Sequence, residues 1–277
     1  MTPGGVVDTL LDLVFPKRCV VCKVAGAWLC EVCATDLHPL PARRCPRCGA
    51  PGSWSAPSSA RDVESAAGAG LVLRRHTGRR CLECAGRDIA FVSAGAAFTY
   101  EGAARALVTA CKFRALRSLS DEMVTLGVPS FATAVSTTAQ GAVVTWVPGH
   151  RDHQLERGFN QAELLARGFA RHAGVAYAPL LRRVRHGARQ SGLDRAARAA
   201  NVRDAFALRE DVNGVLRKLK RVMIVDDVYT TGETLNHCAD VLAHAGLEPH
   251  VFTFARTVRA TPSQASLDHA VKKERCP

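Results

Sequence analysis

The stretch RVMIVDDVYTTGET, residues 221–234, decides the fold of this 277-residue chain. Its apolar half, 221–225, is typical of a buried strand in a parallel sheet, and the carboxylates of Asp226 and Asp227 follow at once. A polar turn around Gly232 then leads into a helical pattern that runs to about residue 245. Open α/β folds bind ligands at the carboxyl ends of such strands. The stretch therefore predicts both a fold class and the place of a ligand site.

The sequence on either side continues the alternation of strands and helices. The patterns predict strands over 91–100, 142–147 and 251–255, helices over 102–114, 116–126 and 160–172, and a hairpin or loop in the arginine-rich region that follows. Pro129 is expected to lie beyond its helix, and Gly174 to cap the next one. We therefore predict a doubly wound α/β domain with a parallel sheet over residues 91–277, preceded by a small cysteine-rich domain over residues 1–90.

Eight of the eleven cysteines form four Cys-x2-Cys knuckles. They are Cys19 with Cys22, Cys30 with Cys33, Cys45 with Cys48, and Cys81 with Cys84. Two knuckles complete a tetrahedral site, so the eight thiols predict two structural zinc ions and leave no open position for a catalytic water. Gly49 after the third knuckle permits the left-handed turn that such a knuckle needs. Buried or redox-active thiols and iron–sulfur binding are the alternatives, and the sequence leaves open which knuckles share a metal. Cys111, Cys238 and Cys276 are expected to be core or surface thiols.

Two segments near the knuckles indicate local structure and cellular location rather than a reaction. Residues 49–80 are rich in Ala, Gly, Ser and Pro, which favours a flexible insertion. The apolar stretch 6–15 is interrupted by Asp8 and Asp12, which is typical of a short amphipathic helix ended by Pro16 rather than of a signal peptide or membrane span. Many cysteines without a secretory signal indicate metal binding in a reducing cytoplasm.

The charge balance favours polyanionic partners. There are 37 Lys and Arg against 25 Asp and Glu, a formal charge of +12, with +4 in residues 1–90 and +8 in residues 91–277. The densest run, 182–203, holds seven arginines and a single acid, Asp194. A solvated face is the ordinary interpretation of such a run, and contact with nucleic-acid phosphates is the functional one.

The opening stretch resembles the motif with which type I phosphoribosyltransferases bind 5-phosphoribosyl-1-pyrophosphate (PRPP). Two carboxylates can accept hydrogen bonds from ribose hydroxyls, and hydroxyl groups with free helix amides can hold the 5-phosphate. An acidic strand end before a Thr-capped helix is the alternative. The predicted PRPP-binding residues here are Asp226, Asp227, Tyr229, Thr230, Thr231, Gly232, Glu233 and Thr234, with Asp226 and Asp227 also expected to act in catalysis. Glu233 departs from the family, in which small residues are common at this position.

Further segments are similar to those of the ComF family of competence proteins. They are YEG at 100–102, KF at 112–113, WVP at 146–148, RGFNQ at 157–161, QSGL at 190–193, and Arg198 with Asn201. The resemblance implies a type I phosphoribosyltransferase-like fold behind a double zinc ribbon, with Mg²⁺ accompanying PRPP. It implies that residues 148–157 hold pyrophosphate through Arg151 or Arg157, and that residues 185–201 form a closing hood. Gly149 stands where a bulkier residue is common in the family.

Three functions remain open at this point. The resemblance implies a PRPP-binding protein that handles single-stranded DNA in uptake or recombination, with a competence or helicase protein as a partner. A working transferase would move ribosyl phosphate to a nucleobase or other amine, and would need a base-recognising hood that the sequence does not identify. A binding-only module would use PRPP to regulate a partner.

Overall fold

The computed structural model describes residues 17–52, 81, 83–84, 86–114, 118–138, 141–150, 158–184, 205–216 and 219–258. The elements in chain order are α1 (Glu31–Ala34), β1 (Ser93–Thr99), α2 (Gly102–Arg114), α3 (Ser118–Thr138), β2 (Val143–Trp146), α4 (Gln161–Ala173), β3 (Leu181–Arg183), β4 (Phe206–Leu208), a 3₁₀ turn (Glu210–Val212), α5 (Asn213–Leu216), β5 (Arg221–Tyr229), α6 (Glu233–His244) and β6 (Glu248–Arg256). The central sheet has the strand order β1-β6-β5-β2, and all of its pairs are parallel. The predicted class, a parallel α/β domain behind a cysteine-rich module, is confirmed.

Strand β5 is longer than its apolar run predicted. We expected a strand over 221–225, but pairing with β6 continues to the register pair Tyr229 and Arg256. Pairing with a neighbour of equal length satisfies the backbone groups of the polar residues as well, so the strand does not stop where the apolar run does. Asp226 and Asp227 therefore lie within the paired part of β5, near its carboxyl end, on backbone that the sheet holds rigidly.

Helices cover both faces of the sheet. On one face α3 and α4 pack through stacked rings of Phe131 and Phe169, whose centroids are 4.9 Å apart, and both rings meet Phe252 of β6 edge to face. On the other face Leu235 and Leu242 of α6 pack among the buried side chains of β5 and β6. The two apolar faces of each central strand explain why β5 reads as a continuous hydrophobic run.

Helix α3 contradicts the expected boundary at Pro129. The helix runs from Ser118 to Thr138 with Pro129 inside it. Met123 and Val124 before the proline and Phe131 after it are buried in one core, so tertiary packing outweighs the lost backbone hydrogen bond. Gly127 adds close packing, since a Cβ there would lie 2.9 Å from the ring of Phe169.

Helix α4 begins at the carboxyl edge of the sheet because Asn160 ties it there. The Asn160 side chain accepts a hydrogen bond from the Ala162 amide at 3.1 Å and donates one to the Val147 carbonyl at 3.1 Å. Gly174 ends the helix with φ 64°, as predicted. The cap holds the first turn of α4 beside the residues that follow β2.

Most remaining predictions of secondary structure agree with the observed fold. The helix over 102–114 and the helix beginning at residue 233 are confirmed, and β3 pairs with β4 in an antiparallel hairpin. Cys111 and Cys238 are fully buried. Residues 49–52 complete the third knuckle, while 53–80, the helix predicted over 6–15 and Cys276 lie outside the described residues. Among the helices that the structure describes, none combines the length and apolarity needed to span a membrane.

Candidate ligand site and metal centres

A cavity of about 210 Å³ lies at the carboxyl edge of the sheet. The walls come from the ends of β5 and β2, from the start of α4, from the hairpin and from α2. The lining residues are Lys112, Val147, Pro148, Gly149, His150, Phe159, Asn160, Gln161, Ala162, Arg183, Asp226 and Asp227. Both predicted carboxylates therefore face one cavity, at the place where the sequence predicted a ligand site.

Lys112 of α2 is a site residue that the sequence did not assign. Its Nζ lies 2.8 Å from Oδ2 of Asp227, whose side chain is 9% exposed. Burial lowers the pKa of Lys112, but the charges of Asp227 and Asp226 and the hydrogen bond to Asp227 raise it overall. The KF segment at 112–113 had carried part of the family resemblance, and that was the available signal. The ion pair gives the cavity a fixed cation beside its carboxylates.

Asp226 is held under electrostatic strain. Its Oδ1 accepts a hydrogen bond from the Asp227 amide at 2.8 Å, which favours the ionised form. Burial and the charge of Asp227 outweigh this bond and raise the pKa of Asp226 to about 8. Near neutral pH this carboxyl group can either hold a proton or release one, which is the property of an acid–base group.

The loop after β5 presents hydroxyl groups to solvent around a buried glycine. Thr230, Thr231 and Thr234 are exposed, whereas Gly232 is buried with φ 78° at the start of α6. Gly232 has no side chain to cap the helix, and Thr231 Oγ1 accepts only a long hydrogen bond of 3.4 Å from the Glu233 amide. The positive end of a twelve-residue helix thus faces outward beside hydroxyl groups, an arrangement that suits an anion.

The side chains of Tyr229 and Glu233 point away from this cradle. Tyr229 is 1% exposed, and its ring packs edge to face on Phe91. Glu233 Oε1 lies 3.0 Å from the guanidinium of Arg87, which also donates a 2.6 Å hydrogen bond to the Thr231 carbonyl. The Glu233 carboxylate is therefore neutralised by a residue of the cysteine-rich module.

The predicted pyrophosphate segment is described in part. Residues 148–150 line the cavity with Asp226 and Asp227, whereas Arg151 and Arg157 lie outside the described residues. The cavity also includes Gln161, a 5% exposed side chain that sequence reasoning quoted but did not assign. Within the described part of the chain nothing donates a hydrogen bond to its Oε1. Buried amides seldom lack a partner, so this oxygen is a candidate acceptor for a ligand.

The cysteine knuckles assemble into two clusters in chain order. One contains Cys19, Cys22, Cys30 and Cys33, and the other contains Cys45, Cys48, Cys81 and Cys84, with all sulfurs of each cluster within 4.8 Å of one another. Individual Sγ–Sγ distances are 3.7 Å for Cys22 to Cys30, 3.8 Å for Cys45 to Cys84 and 3.4 Å for Cys48 to Cys81. Zn–S bonds of about 2.3 Å place the sulfurs of a tetrahedral site about 3.8 Å apart. Both clusters fit structural zinc.

Local backbone geometry prepares these thiols for metal binding. Burial raises the pKa of Cys19, but backbone amides of Cys30, Cys22 and Val21 lower it overall to about 6. In the second cluster the thiol contacts lower the pKa of Cys45 and raise the pKa of Cys48 and of Cys84, as expected when close thiols share their charge. Zinc binds the thiolate, so the amides around Cys19 favour its ligating form. Gly49 takes φ 72°, as predicted, and its missing Cβ lets the knuckle approach the Ala94 carbonyl of β1.

Comparison with known proteins finds one family of domains and several individual relatives. A double zinc ribbon domain matches residues 10–67. Competence protein F of Haemophilus influenzae is 37% identical over 103 residues, which cover 37% of this chain and 44% of that protein. DNA utilization protein YhgH of Salmonella typhimurium is 26% identical over 241 residues, which cover 84% of this chain and 94% of that protein.

Two solved structures are similar to about half of the chain. One is described as the allosteric regulatory enzyme of purine biosynthesis, with 21% identity, a TM-score of 0.30 and coverage of 49% of this chain and 25% of that one. The other is glutamine PRPP amidotransferase from B. subtilis complexed with ADP and GMP, with 25% identity, a TM-score of 0.32 and coverage of 48% and 25%.

The described fold and clusters define a protein that joins a double zinc ribbon to a parallel α/β domain with an acidic cavity at its carboxyl edge. These features and the two relatives just described agree with the resemblance to the ComF family that the sequence motifs indicated.

We predict that the purified protein contains two zinc ions per chain. Replacing Cys45 with serine should reduce the content toward one ion and lower solubility, because structural zinc contributes on the order of 10 kcal/mol to the folding of small modules. Elemental analysis of the full chain measures the metal. Cys111→Ser is the matched control, since this buried thiol belongs to neither cluster and should leave both ions in place. Iron in place of zinc would contradict the prediction.

We also predict that Asp226→Asn stabilises the folded protein at neutral and alkaline pH. A folded-state pKa of about 8 exceeds the unfolded value, so the penalty is absent below about pH 4 and grows as pH rises to about 8. The variant should gain on the order of a few kcal/mol at pH 8 and nothing at pH 4. Denaturant unfolding at both pH values measures this, with exposed Asp240→Asn as the control. A gain at pH 4 equal to that at pH 8 would contradict the proposed strain.

Proposed function

We propose that this protein binds PRPP in the 210 Å³ cavity and on the adjoining loop, and handles single-stranded DNA. The observation that supports PRPP best is the position of Asp226 and Asp227, which face a cavity directly before an uncapped helix start. Ribose hydroxyls need acceptors and the 5-phosphate needs amides and hydroxyls, and here both sets follow one another within nine residues of chain.

The groups at the loop suit the phosphate end of this ligand. Thr230, Thr231 and Thr234 supply hydroxyl donors, and the first amides of α6 supply the positive helix end. Gly232, at φ 78°, supplies the left-handed backbone conformation with which the loop turns into α6. Tyr229 and Glu233, which the sequence also assigned to PRPP, would contribute through backbone amides, because their side chains point to Arg256 and Arg87.

Other residues that line the cavity suit the pyrophosphate end. Lys112 and Arg183 supply cations and Gln161 supplies an amide, while Arg151 and Arg157 remain the predicted guanidiniums of this segment. Mg²⁺ would accompany the pyrophosphate as the hard cation that phosphate oxygens prefer. Asp227 would bind the ribose through the oxygen that Lys112 leaves free, so Lys112 is expected to orient that carboxylate.

We predict that Asp226→Asn with Asp227→Asn abolishes PRPP binding and leaves the fold intact. Each substitution weakens a hydrogen bond to a charged acceptor, at a cost of roughly 1.5–3 kcal/mol, so the pair should weaken affinity by about a hundredfold or more. Calorimetry with PRPP and Mg²⁺ measures the affinity, and Asp211→Asn at an exposed ion pair serves as the control. Unchanged affinity in the double variant would place PRPP elsewhere.

Several features support the DNA part of the proposal. The relatives are a competence protein and a DNA utilization protein by name. The chain carries a formal charge of +12. Trp146 and Tyr177 lie with ring centroids 6.4 Å apart and ring planes tilted by 41°, and the Arg167 guanidinium lies 5.4 Å from the exposed Tyr177 ring. An exposed aromatic ring beside a cation is typical of surfaces that bind single strands without sequence preference.

We predict that two kinds of substitution separate charge from stacking in DNA binding. Neutralising Arg182, Arg183, Arg185 and Arg189 should reduce the slope of log affinity against log salt by about 0.7 for each lost contact, up to roughly three in total. Tyr177→Ala should weaken binding by about 1–3 kcal/mol, which is a loss of affinity of about tenfold or more, and should leave that slope unchanged. Fluorescence anisotropy with a labelled oligonucleotide across a salt series measures both.

The control for the arginine variant neutralises the exposed Arg18 and Arg43 and the half-buried Arg44 of the zinc module. A reduced slope in this control, with the parent's slope in the arginine variant, would move the DNA contacts to the module. Loss of PRPP binding with an unchanged slope would assign the arginine run to the PRPP site instead.

A second candidate function is transfer of the ribosyl phosphate to a nucleobase or other amine. It is favoured by Asp226, whose raised pKa suits proton transfer near neutral pH. Positioning and charge stabilisation by Lys112, the arginines and Mg²⁺ would carry most of such a reaction. Release of pyrophosphate from PRPP only when an acceptor is added would establish transfer. Binding of PRPP without release would leave the protein a binding module.

A further inference from the structure

We propose that the second zinc cluster, Cys45, Cys48, Cys81 and Cys84, positions the phosphate loop 229–234 through Arg256 and Arg87, so that zinc binding there and PRPP binding strengthen each other. The inference rests on the proposed PRPP site for its ligand. Its structural half, the positioning of the loop by this cluster, stands on contacts within the chain and can be tested without PRPP.

Arg256 is the first connection. This last residue of β6 is 1% exposed. Its Nη1 donates a 2.5 Å hydrogen bond to the carbonyl of Cys48, and its Nη2 lies 2.5 Å from the carboxylate of Glu83. Glu83 lies between the ligands Cys81 and Cys84 in the sequence. One buried guanidinium therefore binds both knuckles of the second cluster.

The same guanidinium reaches the loop through an aromatic ring. Its Cζ lies 4.0 Å from the centroid of the Tyr229 ring. Gly232 packs against that ring so closely that any Cβ at this position would collide with it. The backbone at Gly232 therefore packs against the Tyr229 ring, and that ring packs against the Arg256 guanidinium. The guanidinium in turn is hydrogen-bonded to the metal-binding knuckles. A shift of the knuckles would be transmitted directly to the start of α6.

Arg87 and Asn236 form a second and separate connection. Arg87, three residues after Cys84, donates to the Thr231 carbonyl at 2.6 Å and pairs with Glu233. Asn236 on the first turns of α6 donates to the Asp88 carbonyl at 2.9 Å and accepts from the Ala90 amide at 2.7 Å. The chain leaving the last knuckle is thus bonded to both sides of the loop's glycine.

The first cluster is placed differently and provides an internal comparison. Cys19 and Cys33 pack with Ala103, Leu107 and other residues of the core that includes α2. Both connections to the loop 229–234 described above start from the second cluster or from the chain directly after it. The coupling should therefore be specific to one of the two zinc ions.

Coupling of this kind is reciprocal. If zinc in the second cluster raises PRPP affinity by some factor, PRPP must raise the affinity of that zinc by the same factor, which for coupled sites is typically about 5- to 150-fold. Release of zinc to a chelator should then be slowed by PRPP for one of the two ions. The other ion should leave at the same rate with or without PRPP.

The first experiment follows zinc release from the full chain with excess chelator and a metallochromic dye. For the parent protein we expect two phases, of which PRPP with Mg²⁺ slows one at least fivefold. Arg87→Gln should retain two zinc ions, bind PRPP about tenfold more weakly and lose most of the PRPP effect on release. Arg18→Gln is the matched control, because Arg18 donates to a backbone carbonyl beside the first cluster. It should behave as the parent.

The second experiment measures the loop without ligand. Hydrogen exchange of the amides at 229–236 should become faster in Arg87→Gln, and in Arg256→Lys, which keeps the charge but loses the planar fork. Exchange in α4 should not change. Arg87 is partly exposed, so its variant should fold even if Arg256→Lys does not.

The outcomes separate the two proposals. Faster loop exchange together with no PRPP binding by the parent would refute PRPP as the ligand and retain the positioning role. Unchanged loop exchange in Arg87→Gln, or PRPP binding by the parent with no effect on either phase of zinc release, would overturn the inference. PRPP affinity that falls equally in Arg87→Gln and Arg18→Gln would assign the loss to general charge instead.

Discussion

The buried guanidinium of Arg256 is the constraint on which the arrangement of the two modules depends. A charge at 1% exposure is costly unless it is paired, and removing a partner leaves it uncompensated. Its partners come from three places in the chain: the Cys48 carbonyl, the Glu83 carboxylate and the Tyr229 ring. These partners meet only when the second ribbon lies against β5 and β6, so the charge makes that docked arrangement strongly preferred over its alternatives.

In the cavity, burial affects charged groups in the opposite way, because two carboxylates of like charge lie side by side there. Asp226 and Asp227 are neighbouring carboxylates at the end of a rigid strand, and only Lys112 offsets them among the contacts described here. Natural folds retain such strain where a ligand relieves it or where a perturbed group takes part in chemistry. Bound ribose hydroxyls would donate to both carboxylates, and the ligand would thereby stabilise charges that the free protein holds at a cost.

Sequence reasoning located the strands, most helices and all eight metal ligands, because those depend on local periodicity and spacing. It missed relations between distant residues. The length of β5 depends on β6, the continuity of α3 through Pro129 depends on a shared aromatic core, and the pairing of knuckles depends on the path of the chain between them. Lys112 and Asp227 are 115 positions apart, and Arg87 and Glu233 are 146 apart, so no local pattern could have joined them.

Glu233 shows how such a distant pair changes the meaning of a residue. By sequence, a carboxylate in a phosphate loop disfavours an anion and departs from the family pattern. In the structure its charge is matched by Arg87 at 3.0 Å, and both side chains are partly exposed, so the pair contributes little to stability. Its effect is local: it removes a repelling charge from the loop and fixes the guanidinium on the Thr231 carbonyl. An acidic residue is therefore compatible with anion binding here because the zinc module supplies the compensating cation.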